Sequence, residues 1–295
     1  NDCAQMLRDS FARLNVPVRI VSLINDTTGT LIASNYVESR TKIACIFGTG
    51  CNAAYMERIG NVPKINNLGL PADELMAINC EYGAFDSFTH EHTKGVRSKY
   101  DEHIDLHSNK PHEQTYEKMI AGLYLGEIFR LIMLELVDQG LLFLGQNTYK
   151  IEKPYVFDTA FLSLIESDPT DELLTITGLF VHFFGLETTE EERRFLRRLA
   201  EIIGTRSARL SACGIAAIVR KAGLLDEGCV VGCDGSLYSK YPNFAGRLHQ
   251  ALVEILGPKG SGIVTRQAED GSGAGSAVIA AMTTDRKNAG KYTFV

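Results

Sequence analysis

Apolar positions along the chain alternate between two periods. Ala4, Met6, Leu7, Phe11 and Leu14 recur at helical spacing and predict a helix over 2–14. Residues 18–24 form a β-branched run that stops at Asn25-Asp26, the pattern of a buried strand. Residues 31–33 and 42–47 are further strand candidates. Gly48-Thr49-Gly50 breaks the second, and 52–56 predicts the return strand of a hairpin. Residues 57–77 hold Gly60, Pro63, Asn66, Asn67, Gly69 and Pro71 and read as an irregular excursion. An extended segment over 76–85 and a polar loop over 86–114 follow.

The second half changes to the helical period. Met119, Leu123, Ile128, Leu131, Ile132, Leu136 and Val137 predict one amphipathic helix over 115–139. Short helices are predicted near 158–166 and 172–184, and a long one over 189–222 with a Thr-Glu-Glu start and a Gly223 stop. A strand at 230–233, a helix at 243–256, a strand at 262–268 and a last helix opening at Gly271 complete the pattern. Strands, then helices, then strand–helix–strand–helix predict an α/β fold on a mixed sheet.

Composition narrows the class. The chain has 295 residues, enough for about two domains or one large α/β unit, and no repeat or linker marks a boundary. With 45% hydrophobic and 22% charged residues it is no disordered, collagenous or coiled-coil chain. A net charge of −6 without a basic stripe argues against a nucleic-acid partner. No apolar run approaches the ~20 residues that span a bilayer. Seven cysteines, mostly within apolar runs, predict reduced thiols in a cytoplasmic protein. Cys229 and Cys233 lack the second pair a zinc site requires. The chain does not begin with Met and opens in a predicted helix, so it is expected to be part of a longer protein.

Several segments carry candidate chemistry. The run from Asn25-Asp26 to Gly29-Thr30 reads as a turn or helix cap, or as a carboxylate at the carboxyl end of a strand, where open α/β sheets place ligands. Gly48-Thr49-Gly50 is either a hairpin turn or a phosphate cradle; it is neither a GxGxxG fingerprint nor a P-loop. Glu117 can complement a helix dipole, or bind a polyol together with Asn25, Asn52 and Glu81 if the four converge. Asp234-Gly235-Ser236 and the Gly271–Gly275 segment are tight strand-to-helix turns, or glycines that admit a nucleotide. His90, His92, His103, His107 and His112 are taken as part of a solvated loop, with no metal site.

In their joint order these motifs resemble the hexokinase family, most closely its fungal members. The resemblance rests on LINDTTGTL (23–31), IFGTGCNAAY (46–55), INCEYGAF (78–85), YEKMIAGLYLGE (116–127), GTRSARL (204–210), CDGSLY (233–238) and EDGSGAGSA (269–277). It implies an actin-like ATPase fold of the ribonuclease H type, with two lobes closing over a sugar. It implies ATP-dependent phosphorylation of glucose and related hexoses at the 6-hydroxyl, the first step of glycolysis, with ATP and Mg²⁺ as cofactors. By the same resemblance Asp26 is the base. Asn25, Asn52, Glu81, Gln114 and Glu117 are sugar ligands. Gly48, Thr49, Gly50, Gly122, Thr159, Ser163, Asp234, Gly235 and Ser236 line the nucleotide pocket.

The departures are as informative. A Gly-Gly-Thr-Asn phosphate loop, a Ser-Phe-Pro segment and a Thr-Lys pair of the small lobe have no counterpart, and Glu113 stands where relatives often have Gln. The chain therefore resembles the large lobe: 1–26 a small-lobe remnant, 27–270 the large lobe, 271–295 a closing helix. With one phosphate turn of two, this length of chain is expected to bind glucose weakly without turning it over. The rival readings are a non-catalytic glucose sensor or regulator, and another sugar kinase or ATPase of the same fold.

Overall fold

The computed structural model of the chain describes residues 2–269 and 271–291. Its centre is a five-stranded sheet of β1 (Thr41–Phe47), β2 (Cys51–Arg58), β3 (Leu75–Asn79), β4 (Cys229–Asp234) and β5 (Ile263–Gln267), in the order β3-β2-β1-β4-β5. The three early strands pair antiparallel, while β4 and β5 join parallel to β1 and to each other. The sheet is mixed because a tight turn links β1 to β2, whereas helical crossovers precede β4 and β5.

Twelve helices accompany it among the described residues. The first half contributes α1 (Cys3–Arg13), α2 (Asp26–Val37), α3 (Lys99–Leu106), α4 (Thr115–Ile120), α5 (Gly122–Asp138) and α6 (Tyr149–Glu152). The second half contributes α7 (Thr159–Glu166), α8 (Leu174–Leu179), α9 (Glu190–Lys221), α10 (Ser236–Lys240), α11 (Phe244–Leu256) and α12 (Gly271–Asn288).

Both faces of the sheet are covered. Ile43, Cys45 and Phe47 of β1 alternate onto the main core with Phe129, Leu162, Ile215 and Leu248 of α5, α7, α9 and α11. Ala44 and Ala54 face the other way, onto Leu31 of α2. Burying one Phe or Leu of this kind is worth about 1.5–3 kcal/mol. A window of α9 is apolar enough to cross a membrane, but more than half of it is buried inside the protein. Its Thr189–Glu192 capping box explains the sharp start. The division drawn at 26/27 falls in the first turn of α2, and the one at 270/271 at the start of α12.

The structure departs from the sequence pattern in several places. Residues 18–24 form neither helix nor strand, and no strand among the described residues pairs with them, so β propensity goes unused. Residues 31–33 lie in α2 rather than a strand, because Asn25 caps that helix by accepting from the Thr27 amide at 2.8 Å. Asp26 thus opens a helix and does not end a strand. The loop over 86–114 contains α3, held by a Ser98–Asp101 capping box. The helix expected over 115–139 breaks at Ala121, whose ψ of 151° is extended. There the Gly122 amide donates to Gly48 O at 2.8 Å, a tertiary bond that replaces the helical one. The helix near 172–184 ends in a π-turn over Phe180–Phe184.

The GSGAG segment has a packing role. A Cβ on Gly275 would lie 2.0 Å from Gly29 O, and one on Gly271 would lie 2.6 Å from Thr30 Oγ1. These glycines let α12 rest directly on α2, the helix that Asp26 begins. All seven cysteines are free, but Cys3 and Cys213 are exposed, so burial does not extend to every thiol.

Candidate sugar and nucleotide site

The segments around β2, β3 and α4 bring a set of amides and carboxylates together. Glu81 Oε1 accepts from Asn79 Nδ2 at 2.7 Å, from Asn52 Nδ2 at 3.1 Å and from Asn25 Nδ2 at 3.5 Å. Asn52 is buried and also accepts from the Glu81 amide at 2.9 Å, so side chain and backbone lock each other. Glu81 has a φ of 50°, a left-handed conformation that turns its side chain off the end of β3. Asn79 is not distinguished by type or spacing alone. Its signal is position: it ends β3 two residues before Glu81.

A second group faces the first across Cys51. Glu117 Oε2 accepts from the Cys51 amide at 2.9 Å. Burial, then the charges of Glu117 and Glu81, push the Cys51 thiol well above its ordinary range, which disfavours the thiolate. Gln114 also has a left-handed backbone, and its Oε1 is buried without a partner. That oxygen and the Glu117 Cβ would each lie 3.2 Å from a Cβ on Gly83. A buried acceptor with no donor is what a bound hydroxyl would satisfy.

Lys118 fixes this segment from behind. Its ammonium donates to Asp105 Oδ1 at 2.6 Å and to Lys110 O at 2.8 Å, while the Tyr116 hydroxyl donates to Leu210 O. The Tyr-Glu-Lys run is therefore one carboxylate between two anchored side chains. Arg206 of the GTRSARL segment holds buried Asp101 through bonds of 3.0 and 2.7 Å. The histidine loop is not simply solvated: His90 and His112 stand against buried Asp105.

On the other side of the β1–β2 turn lies a cavity of about 570 Å³, lined in part by Thr49, Gly122, Thr159, Ser163, Ser236 and Lys240. Three glycines make the junction. A Cβ on Gly122 would meet Gly48 O at 2.9 Å, and one on Gly235 would meet Phe47 O at 2.4 Å. Gly235 has a φ of 103°, outside the range of other residues. The Gly48 amide donates to Gly50 O at 3.0 Å, closing the turn. Asp234 ends β4 and accepts from the Gly235 amide at 2.6 Å. The Thr159 hydroxyl is occupied by the fold: it donates to Gly122 O at 2.6 Å and accepts from the Gly126 amide at 2.9 Å.

Asp26 stands beside Asn25, exposed, accepting from the Thr27 amide at 2.7 Å. The Thr27 hydroxyl lies 3.3 Å from the same oxygen, Oδ1, so both bonds from Thr27 fall on one carboxylate oxygen.

Two profiles described as hexokinase match the chain, one over residues 42–282 and one over 1–36. The chain is 49% identical over 294 residues to a hexokinase of Emericella nidulans, covering 98% of this chain and 59% of that protein. It is 51% identical over 271 residues to hexokinase-1 of Schizosaccharomyces pombe, covering 92% of this chain and 55% of that protein. A solved hexokinase of Schistosoma mansoni complexed with glucose aligns with a TM-score of 0.84 at 32% identity, over 94% of this chain and 61% of the other. The chain thus spans under two thirds of the length of these relatives. The shared architecture is the actin-like ATPase fold.

Proposed function

The chain belongs to the hexokinase family, and from that premise we propose that the protein carrying it phosphorylates hexoses, glucose foremost, at the 6-hydroxyl with ATP. One observation carries the reading. Asn25, Asn52 and Asn79 converge on Glu81 while the buried Gln114 Oε1 has no donor. Each sugar hydroxyl both donates and accepts, and a mixed set of carboxylates and amides meets that need. Glu81 and Glu117 accept from hydroxyls, Asn25 donates to one, Asn52 donates by giving up its bond to Asn79 or Glu81, and Gln114 Oε1 takes one more. The glucose in the Schistosoma mansoni relative supports the same ligand class here.

Asp26 is the proposed base, accepting the 6-hydroxyl proton as that oxygen attacks the γ-phosphoryl group. The Gly48–Gly50 turn and the cavity beside Thr159 and Ser236 would hold the nucleotide. Catalysis is then mostly positioning and charge neutralisation. Mg²⁺ would arrive with ATP, held largely by phosphate oxygens and water, and would neutralise phosphate charge. Asp234, whose hard oxygens suit that cation's water shell, stands at the turn junction. The free thiols fit the proposed cytoplasmic location.

The 570 Å³ cavity next to the phosphate turn favours an enzyme over a non-catalytic sensor, which has no need of it. A coupled assay for glucose 6-phosphate on the complete protein tests the reading. Glucose-dependent ADP release supports it; release of ADP without sugar phosphate overturns it.

A further inference from the structure

We propose that His90, His112 and Asp105 form a binding site for a divalent ion of the zinc class, a site separate from the sugar and nucleotide chemistry. His90 Nε2 lies 3.2 Å from His112 Nδ1 and 3.7 Å from Asp105 Oδ2, and His112 Nδ1 lies 3.6 Å from that oxygen. A triangle of these sides has one point about 2.0 Å from all three atoms, which is the length of zinc–nitrogen and zinc–oxygen bonds. Three protein ligands leave a fourth position for water.

The surroundings orient the ligands. Thr115 Oγ1 is 3.2 Å from His90 Nδ1, so it can accept that N–H and leave Nε2 unprotonated as a ligand atom. The His112 amide donates to Asp105 Oδ1 at 3.0 Å, which ties the ligand's backbone to the ligand carboxylate. Asp105 is buried, while His112 is half-exposed and leaves an entry path. Two cations oppose the ion: Lys118 holds Asp105 Oδ1 at 2.6 Å, and Arg97 holds Oδ2 at 3.1 Å. They lower the affinity, and they raise the importance of the two imidazoles. Two nitrogens and one shared oxygen select Zn²⁺, Ni²⁺ or Cu²⁺ over Mg²⁺, so the Mg²⁺ that accompanies ATP does not compete.

The position gives the site a consequence. His112 lies two residues before Gln114 and five before Glu117. A bound ion would join the loop of His90 to the segment that presents both side chains.

Titrating Zn²⁺ into the chain by calorimetry, with Co²⁺ absorption as a second readout, tests the site. His90→Ala and His112→Gly should each weaken binding by at least about tenfold and abolish the visible Co²⁺ absorption of the site. His112 has a φ of 67°, a conformation glycine adopts without strain, so His112→Gly keeps the fold. His103 and His107, stacked with centroids 4.0 Å apart on α3 and its cap, are the rival ligands. His103→Ala should leave affinity unchanged. Binding that survives both His90→Ala and His112→Gly, binding lost in His103→Ala, or no binding by the unmodified chain overturns the proposal. None of these readouts depends on sugar or ATP, so their failure is distinct from failure of the kinase reading.

Discussion

Glu117 accepts a hydrogen bond from the Cys51 amide at 2.9 Å across 66 residues of sequence, and its Oε2 lies 2.7 Å from the point a Cβ on Gly50 would occupy. The carboxylate is therefore positioned by the absence of a side chain at the turn. Gly50→Ala should push Glu117 aside and weaken glucose binding by about tenfold or more, the loss of one charged hydrogen bond. Because the clash is with the end of a flexible side chain, the melting temperature should fall by only a few degrees. Calorimetry and a thermal melt on the same sample separate the two effects.

Asp105 gives the fold an acid-sensitive point. Burial alone would raise its pKa, but hydrogen bonds and charge from Lys118, the His112 amide and Arg97 outweigh burial and hold it below the ordinary carboxylate range. A depressed folded pKa contributes stability above the unfolded value near 3.9, lost as pH falls through the folded value. Asp105→Asn should cost roughly 3 kcal/mol at pH 7, since it leaves Lys118 buried without its counter-ion. Below about pH 4 the gap between variant and parent should shrink. Urea titrations at pH 7 and below pH 4 measure both.

The contact between α2 and α12 predicts a large effect from one methyl group. Gly275→Ala places a carbon 2.0 Å from Gly29 O, a backbone atom that cannot swing away. It should destabilise by about 1–3 kcal/mol and displace Asp26 with its helix. Gly246→Ala in α11 meets no atom within 4 Å and should be neutral or slightly stabilising. Denaturant midpoints of the two variants compare them directly.

Asp26→Asn removes the proposed base while keeping the side chain's shape. In the complete protein, kcat should fall by roughly 10²–10⁴, with glucose affinity changed little. Near-normal kcat would remove Asp26 from the mechanism.

Much of this was legible in the sequence, for identifiable reasons. The hairpin around Gly48–Gly50 and the long α9 follow from local signals, a glycine turn and a capping box. The β-branched run 18–24 predicts a strand ending at Asp26, and no local signal shows that no strand among the described residues pairs with it. The break at Ala121 was hidden because Gly122 gives its amide to Gly48, 74 residues away. The sequence links Asn25 and Asn52 to Glu81 only as a conditional set, and the structure joins those three by hydrogen bonds. Composition cannot show which amide faces which carboxylate. Asn79 and Lys118 escaped because their roles lie wholly in tertiary contacts, to Glu81 and to Asp105.

The most direct test of the central claim is glucose binding to this chain, followed by saturation-transfer NMR, which detects weak ligands. The unmodified chain should transfer saturation to glucose. Glu81→Gln, which removes the charge that Asn25, Asn52 and Asn79 surround, should weaken binding by about 10–100-fold with the fold intact. Glucose that fails to bind the unmodified chain, or binds Glu81→Gln equally well, would contradict the account.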